Sequence, residues 1–204
     1  MNILTKNPEE KPYFLTNQSA GSFNTFKHSF EAGTGKFLNN LLSVSARYSI
    51  INSDGYIDRA FSKLNSYNIN ALFEKGNTKL RFLTFGGKEK TYQAWNGIDK
   101  ATYESNPKFN YSGAIYDANW ENIIGFYDNE TDNYRQNHYH LLWEQKLGKI
   151  WNLETTFHLT HGEGYYENYK QDAKFSKYDL PNIVENGNTI TRTDFIRKKW
   201  LDND

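Results

Sequence analysis

Leu42-Ser43-Val44-Ser45-Ala46-Arg47-Tyr48-Ser49-Ile50 alternates apolar and polar residues without a break. Successive side chains of an extended strand point to opposite faces, so this stretch carries one apolar face and one wet face. The same period recurs downstream. Tyr67, Ile69, Ala71 and Phe73 share a face against Asn68 and Asn70, and the turn Glu74-Lys75-Gly76-Asn77 follows. Leu80, Phe82 and Thr84 then alternate with Lys79 and Arg81, up to Gly86-Gly87, where the run is expected to break. A second hairpin joins Tyr139, Leu141, Trp143 and Gln145 through a tight Gly148-Lys149 turn to Leu153, Thr155, Phe157 and Leu159. Fainter strands are expected from Lys11 to Gln18, Ser22 to Glu31 and Ile190 to Trp200, giving about eight in all.

The connections differ in length in a regular way. Turns near Gly21, Gly33–Asn40, Lys75–Asn77 and Gly148–Ile150 read as short, and Asn52–Lys63, Lys88–Asn133 and Gly162–Thr189 as long. Alternation of short turns with long loops is the habit of outer-membrane barrels, whose periplasmic turns are short and whose extracellular loops are long. The expected fold class is therefore all-β: an antiparallel meander forming part of a transmembrane β-barrel. A bilayer demands that every backbone N–H and C=O find a partner within the protein, which a closed sheet provides.

Composition agrees. Aromatic residues make up 17% of the chain, yet mean hydropathy is −0.84. A disordered chain lacks such aromatics, and a soluble core of this size uses more aliphatic residues. Aromatic girdles around a polar lumen satisfy both numbers. The 24 basic and 24 acidic residues cancel, so no basic excess argues for nucleic acid as a partner. With no cysteine, thiolate metal sites, cysteine nucleophiles and disulfides are excluded. No apolar run is long enough for a transmembrane helix. The opening Met1-Asn2-Ile3-Leu4-Thr5-Lys6-Asn7-Pro8 has no apolar signal-peptide core, so the chain is expected to be a piece of an exported protein.

Several longer stretches narrow the reading. These are Gly21–His28, Ser53-Asp54-Gly55-Tyr56-Ile57-Asp58-Arg59-Ala60, Thr91-Tyr92-Gln93-Ala94-Trp95-Asn96-Gly97, Phe126-Tyr127-Asp128-Asn129-Glu130-Thr131-Asp132-Asn133-Tyr134, Gly162–Glu167 and Arg197–Asp204. Together they resemble the barrel of the TonB-dependent receptors of Gram-negative outer membranes, from about Gly21 onward. The resemblance implies a large plugged barrel that takes up a scarce small molecule such as an iron chelate or cobalamin. It implies outer-membrane lipid as a partner, with TonB engaged only through a plug segment that this sequence lacks. Residues 1–204 are then expected to be one partial barrel domain, incomplete at both ends. The alternatives are a complete small eight-stranded outer-membrane barrel and a soluble all-β glycan-binding module.

Candidate chemistry is sparse, and neither an enzyme nor a cofactor is expected. Exposed aromatics in the longer loops can stack on a ligand, and Tyr92, Trp95, Tyr127, Tyr165 and Tyr166 are the ligand-contact candidates. His138 and His140 share a strand face, with His158 and His161 on the neighbouring strand. Imidazoles so placed could bind a transition metal, but lining of a polar lumen is the expected role and no metal is assigned. Asp128, Glu130 and Asp132 lack the ligand pattern of a calcium loop and are expected to order the long loop through hydrogen bonds. Glu163 and Glu167 read as loop charges, since nothing sets them as a catalytic pair. Gly33-Thr34-Gly35-Lys36 is followed by Phe37, where a phosphate loop needs Ser or Thr.

Overall fold

The computed structural model describes residues 6–203. Most of the opening stretch read for a signal peptide, Met1–Thr5, lies outside the described residues. Eight strands form one antiparallel sheet: β1 (Pro12–Gly21), β2 (Thr25–Phe37), β3 (Leu42–Ser53), β4 (Ser62–Lys75), β5 (Thr78–Tyr92), β8 (Thr131–Leu147), β9 (Trp151–Lys174) and β12 (Arg192–Asn203). They pair in that order, each with its neighbour in the chain of strands. Between β5 and β8 lie a short helix α1 (Lys100–Ser105) and the small ribbon of β6 (Ala114–Tyr116) and β7 (Ile123–Phe126). A second ribbon, β10 (Ile183–Glu185) with β11 (Asn188–Ile190), sits between β9 and β12. The sheet is open, with β1 and β12 as its two edges.

In a meander, alternate connections fall at the same end of the sheet. Residues 38–41, 76–77 and 148–150 make three short turns at one end. The other end carries the tight turn 22–24 and the longer segments 54–61, 93–130 and 175–191. The expected asymmetry is therefore present, although the strands run further than their alternation suggested. Lys88–Tyr92 belongs to β5 and Gly162–Lys174 to β9.

Gly86-Gly87 does not end a strand. Both residues sit within β5, where Gly86 faces Tyr67 across the ladder. A Cβ on Gly86 would meet Asn137 Oδ1 at 2.6 Å and Tyr67 Cε1 at 3.0 Å. The tyrosine ring fills the space that a side chain would have used, and its hydroxyl donates to Asn137 Oδ1 at 2.9 Å. Backbone pairing on both sides, to β4 and β8, overrides the weak strand propensity of the pair.

The two faces of the sheet are enclosed in the reverse of the usual order. Phe157 and Leu159 are 60% and 63% exposed, and Tyr48, Ile69, Phe82 and Leu141 are also open. On the opposite face Ser43 and Asn70 are each 3% exposed, and Arg81 and Leu83 are buried beside them. The segment from Lys6 to Lys11 lies across this polar face. The Lys6 carbonyl accepts from Asn70 Nδ2 at 2.7 Å and Arg81 Nη2 at 2.6 Å. Glu10 pairs with Lys36 at 2.9 Å. Two recesses, of about 430 and 900 Å³, open on the polar face.

Candidate functional site

The ligand-contact candidates divide once they are placed. Tyr92, at the end of β5, is 4% exposed, and its hydroxyl lies within donor reach of the Ser112 carbonyl at 3.0 Å and the Tyr127 carbonyl at 2.6 Å. It pins the long segment 93–130 to the sheet and faces no solvent. Tyr127 stacks on Tyr169 with ring centroids 5.7 Å apart and donates to Glu167 Oε1. Burial and the neighbouring carboxylate push the Tyr127 phenol up to about 12. Both residues hold the loop in place.

Trp95, Tyr165 and Tyr166 are different. Trp95 is exposed and meets Tyr166 edge-on at 5.5 Å. Adjacent strand residues point to opposite faces, so Tyr165 turns away from this pair and packs on Trp200 at 4.7 Å. Arg197 and Lys199 approach the Tyr166 ring at 5.6 and 5.8 Å. The outcome at the long-loop end is a rim of exposed Trp95 and half-buried Tyr166 with two cations, a surface able to stack a planar or anionic group.

A polar knot beneath the loop joins Glu130 to Asn110 and Asn168, two residues the sequence did not single out. Asn110, 1% exposed, donates to the Asp58 carbonyl at 3.0 Å and the Gln93 carbonyl at 2.9 Å. Asn168 donates to Gln93 Oε1 at 2.7 Å and Glu130 Oε1 at 2.9 Å, and Glu130 Oε2 also accepts from the Tyr169 amide at 2.7 Å. Glu130 thus orders the loop through hydrogen bonds. Further out, Asp99 caps α1 and Asp117 accepts from Asn122 and the Glu121 amide. Those hydrogen bonds hold both carboxyls below their ordinary values. Glu163 and Glu167 are each engaged separately, with Arg135 and with Tyr127, Asn129 and Lys198. Among the described residues the two carboxylates share no partner.

The second cluster lies in the middle of the polar face. His140 of β8 stands directly opposite His158 of β9, and His138 opposite Thr160. One ring nitrogen from each of His138, His140 and His158 lies within 4.8 Å of the others, the only such group among the described residues. The Thr160 hydroxyl is 3.0 Å from His138 Nδ1 and 2.7 Å from His158 Nε2. Phe85 closes one side, stacked on His138 at 4.6 Å and edge-on to His140 at 5.5 Å. His140 Nε2 is buried without a hydrogen-bond partner. His161 is excluded by parity: three residues beyond His158, it faces Asn137 on the other side of the sheet. The tight turn carries the signal for this pairing, because His140 lies as far before Leu147 as His158 lies after Trp151, and those two residues close the hairpin.

No family model, no curated protein and no solved structure matches the chain.

Proposed function

We propose that this chain forms part of the wall of an outer-membrane β-barrel receptor of the TonB-dependent kind, which takes up a scarce small molecule. The observation that carries the reading is the inverted burial of the sheet. A soluble sheet turns its apolar face inward, because burying that face is the main driving force for folding. Here the apolar face, with Tyr48, Ile69, Phe82, Leu141, Phe157 and Leu159, is the open one. In a bilayer that face meets lipid and the polar face lines the lumen. The longer segments gather at one end, where Trp95 and Tyr166 would meet the ligand. The unpaired edges β1 and β12 are consistent with a wall that continues into further strands.

Environment-sensitive fluorophores attached at single positions test this reading. In vesicles holding the refolded chain, labels at Val44, Tyr48 and Ile69 are expected to report hydrocarbon, and labels at Ser45 and Asn68 water. A chain that stays monomeric in water, with all five labels in a wet setting, would favour the soluble glycan-binding module instead.

A further inference from the structure

We infer that His138, His140 and His158 form a binding site for a single divalent transition-metal ion of the zinc, nickel and copper class. The inference rests on the register of β8 and β9 and on the side chains around it, and holds whether or not the sheet belongs to a membrane barrel.

Borderline divalent ions of the first transition row favour imidazole nitrogen, and three histidines with an open fourth position are an established zinc ligand set. Two ligands spaced i and i+2 on one strand, and a third directly across the ladder, bring three rings to one face without help from a loop. In a tetrahedral site with metal–nitrogen bonds of about 2.0–2.1 Å the nitrogens are roughly 3.3 Å apart. The three here lie within 4.8 Å, so modest side-chain rotation closes the set without moving the backbone.

The surroundings fit such a site. Thr160, between His138 and His158, is within hydrogen-bonding distance of both rings and orients them. Phe85 walls off one side, which keeps competing water from that approach. The buried and unpartnered Nε2 of His140 is a donor atom whose burial costs free energy unless something pairs with it. His138 also lines the smaller recess on the polar face, so the fourth position has access from that side.

Titrating the full chain with Co2+ provides the test. One equivalent is expected to give the intense visible bands of a tetrahedral ion, which Zn2+ then bleaches by competition. His140→Ala and His158→Ala should each weaken Co2+ binding at least tenfold, while His28→Ala leaves it unchanged. X-ray absorption on the zinc-loaded native chain should count three imidazoles, a readout that does not depend on how any variant folds. Binding of Co2+ by the native chain no tighter than by the His140→Ala/His158→Ala double variant would overturn the inference, as would an absorption spectrum fitted by oxygen ligands alone.

Discussion

The ring of Tyr13 on β1 lies directly over Gly33 on β2, its partner in the ladder. A Cβ built on Gly33 would come within 2.8 Å of Tyr13 Cδ1 and 3.0 Å of its Cζ. Tyr13 also donates to Glu31 Oε1 at 2.7 Å, so the ring is tethered and cannot simply swing aside. Tyr67 and Gly86 repeat the relationship on the other face.

Gly33→Ala is therefore expected to destabilise the sheet by about 1–3 kcal/mol, the usual cost of forcing a methyl into filled space. Gly125→Ala, where a Cβ meets nothing within 4 Å, is the matched control. Urea unfolding of the refolded chain in micelles checks the pair, and equal midpoints for the two variants would refute the packing argument.

The lipid reading makes a sharper prediction at Phe157. In water, replacing a side chain that is already 60% exposed changes stability by no more than about 0.5 kcal/mol. Facing the bilayer midplane, Phe157→Arg costs about 2–4 kcal/mol. Unfolding from vesicles distinguishes the two. Thr156→Arg on the polar face is expected to be mild in either setting.

Tyr127 sets a pH dependence. Its phenol, pushed up to about 12 against an ordinary value of 10.0, is favoured in the neutral, hydrogen-bonded form. The stability it contributes is fully present below pH 10 and is lost as pH rises through the folded value. Ultraviolet titration of the phenols should show Tyr127→Phe removing one late-ionising group. A variant whose titration curve loses an early phenol instead contradicts the assignment.

The strands that alternate cleanly were legible: 42–50, 67–73, 139–145 and 153–159 all fall within the observed β3, β4, β8 and β9. The outer halves of β5 and β9 were not. Lys88-Glu89-Lys90 is charged on both faces, and Gly162–Lys174 places glycines, charges and tyrosines on both, so neither shows a hydrophobic period, and only the neighbouring strands keep them extended. The same limit applies to the site residues. Aromatic character singled out Tyr92 and Tyr127, but their hydroxyls found buried carbonyl and carboxylate partners that are distant in sequence. The histidine cluster was half legible, since its strand parity was visible while the exact cross-strand partner depended on the turn.

The last prediction concerns the long segment 93–130, in which the buried side chain of Asn110 is a hydrogen-bonded tie. Asn110 ties two points of it to the preceding loop: it bonds the Gln93 carbonyl just past β5, the Ser112 amide two residues on, and the Asp58 carbonyl of the loop between β3 and β4. Removing its amide leaves those buried groups without partners, at a cost of about 1–3 kcal/mol. The contacts lie at the long-loop end, and the ladder between β5 and β8 does not depend on them. Asn110→Ala should therefore loosen the segment while the sheet stays folded. Limited proteolysis is the measurement: cleavage between residues 93 and 130 should accelerate at least several-fold, with the β-sheet circular dichroism unchanged. Unaltered cleavage would mean that Tyr92 and Glu130 suffice to hold the loop, and simultaneous loss of the sheet signal would mean that loop and sheet fold as one unit.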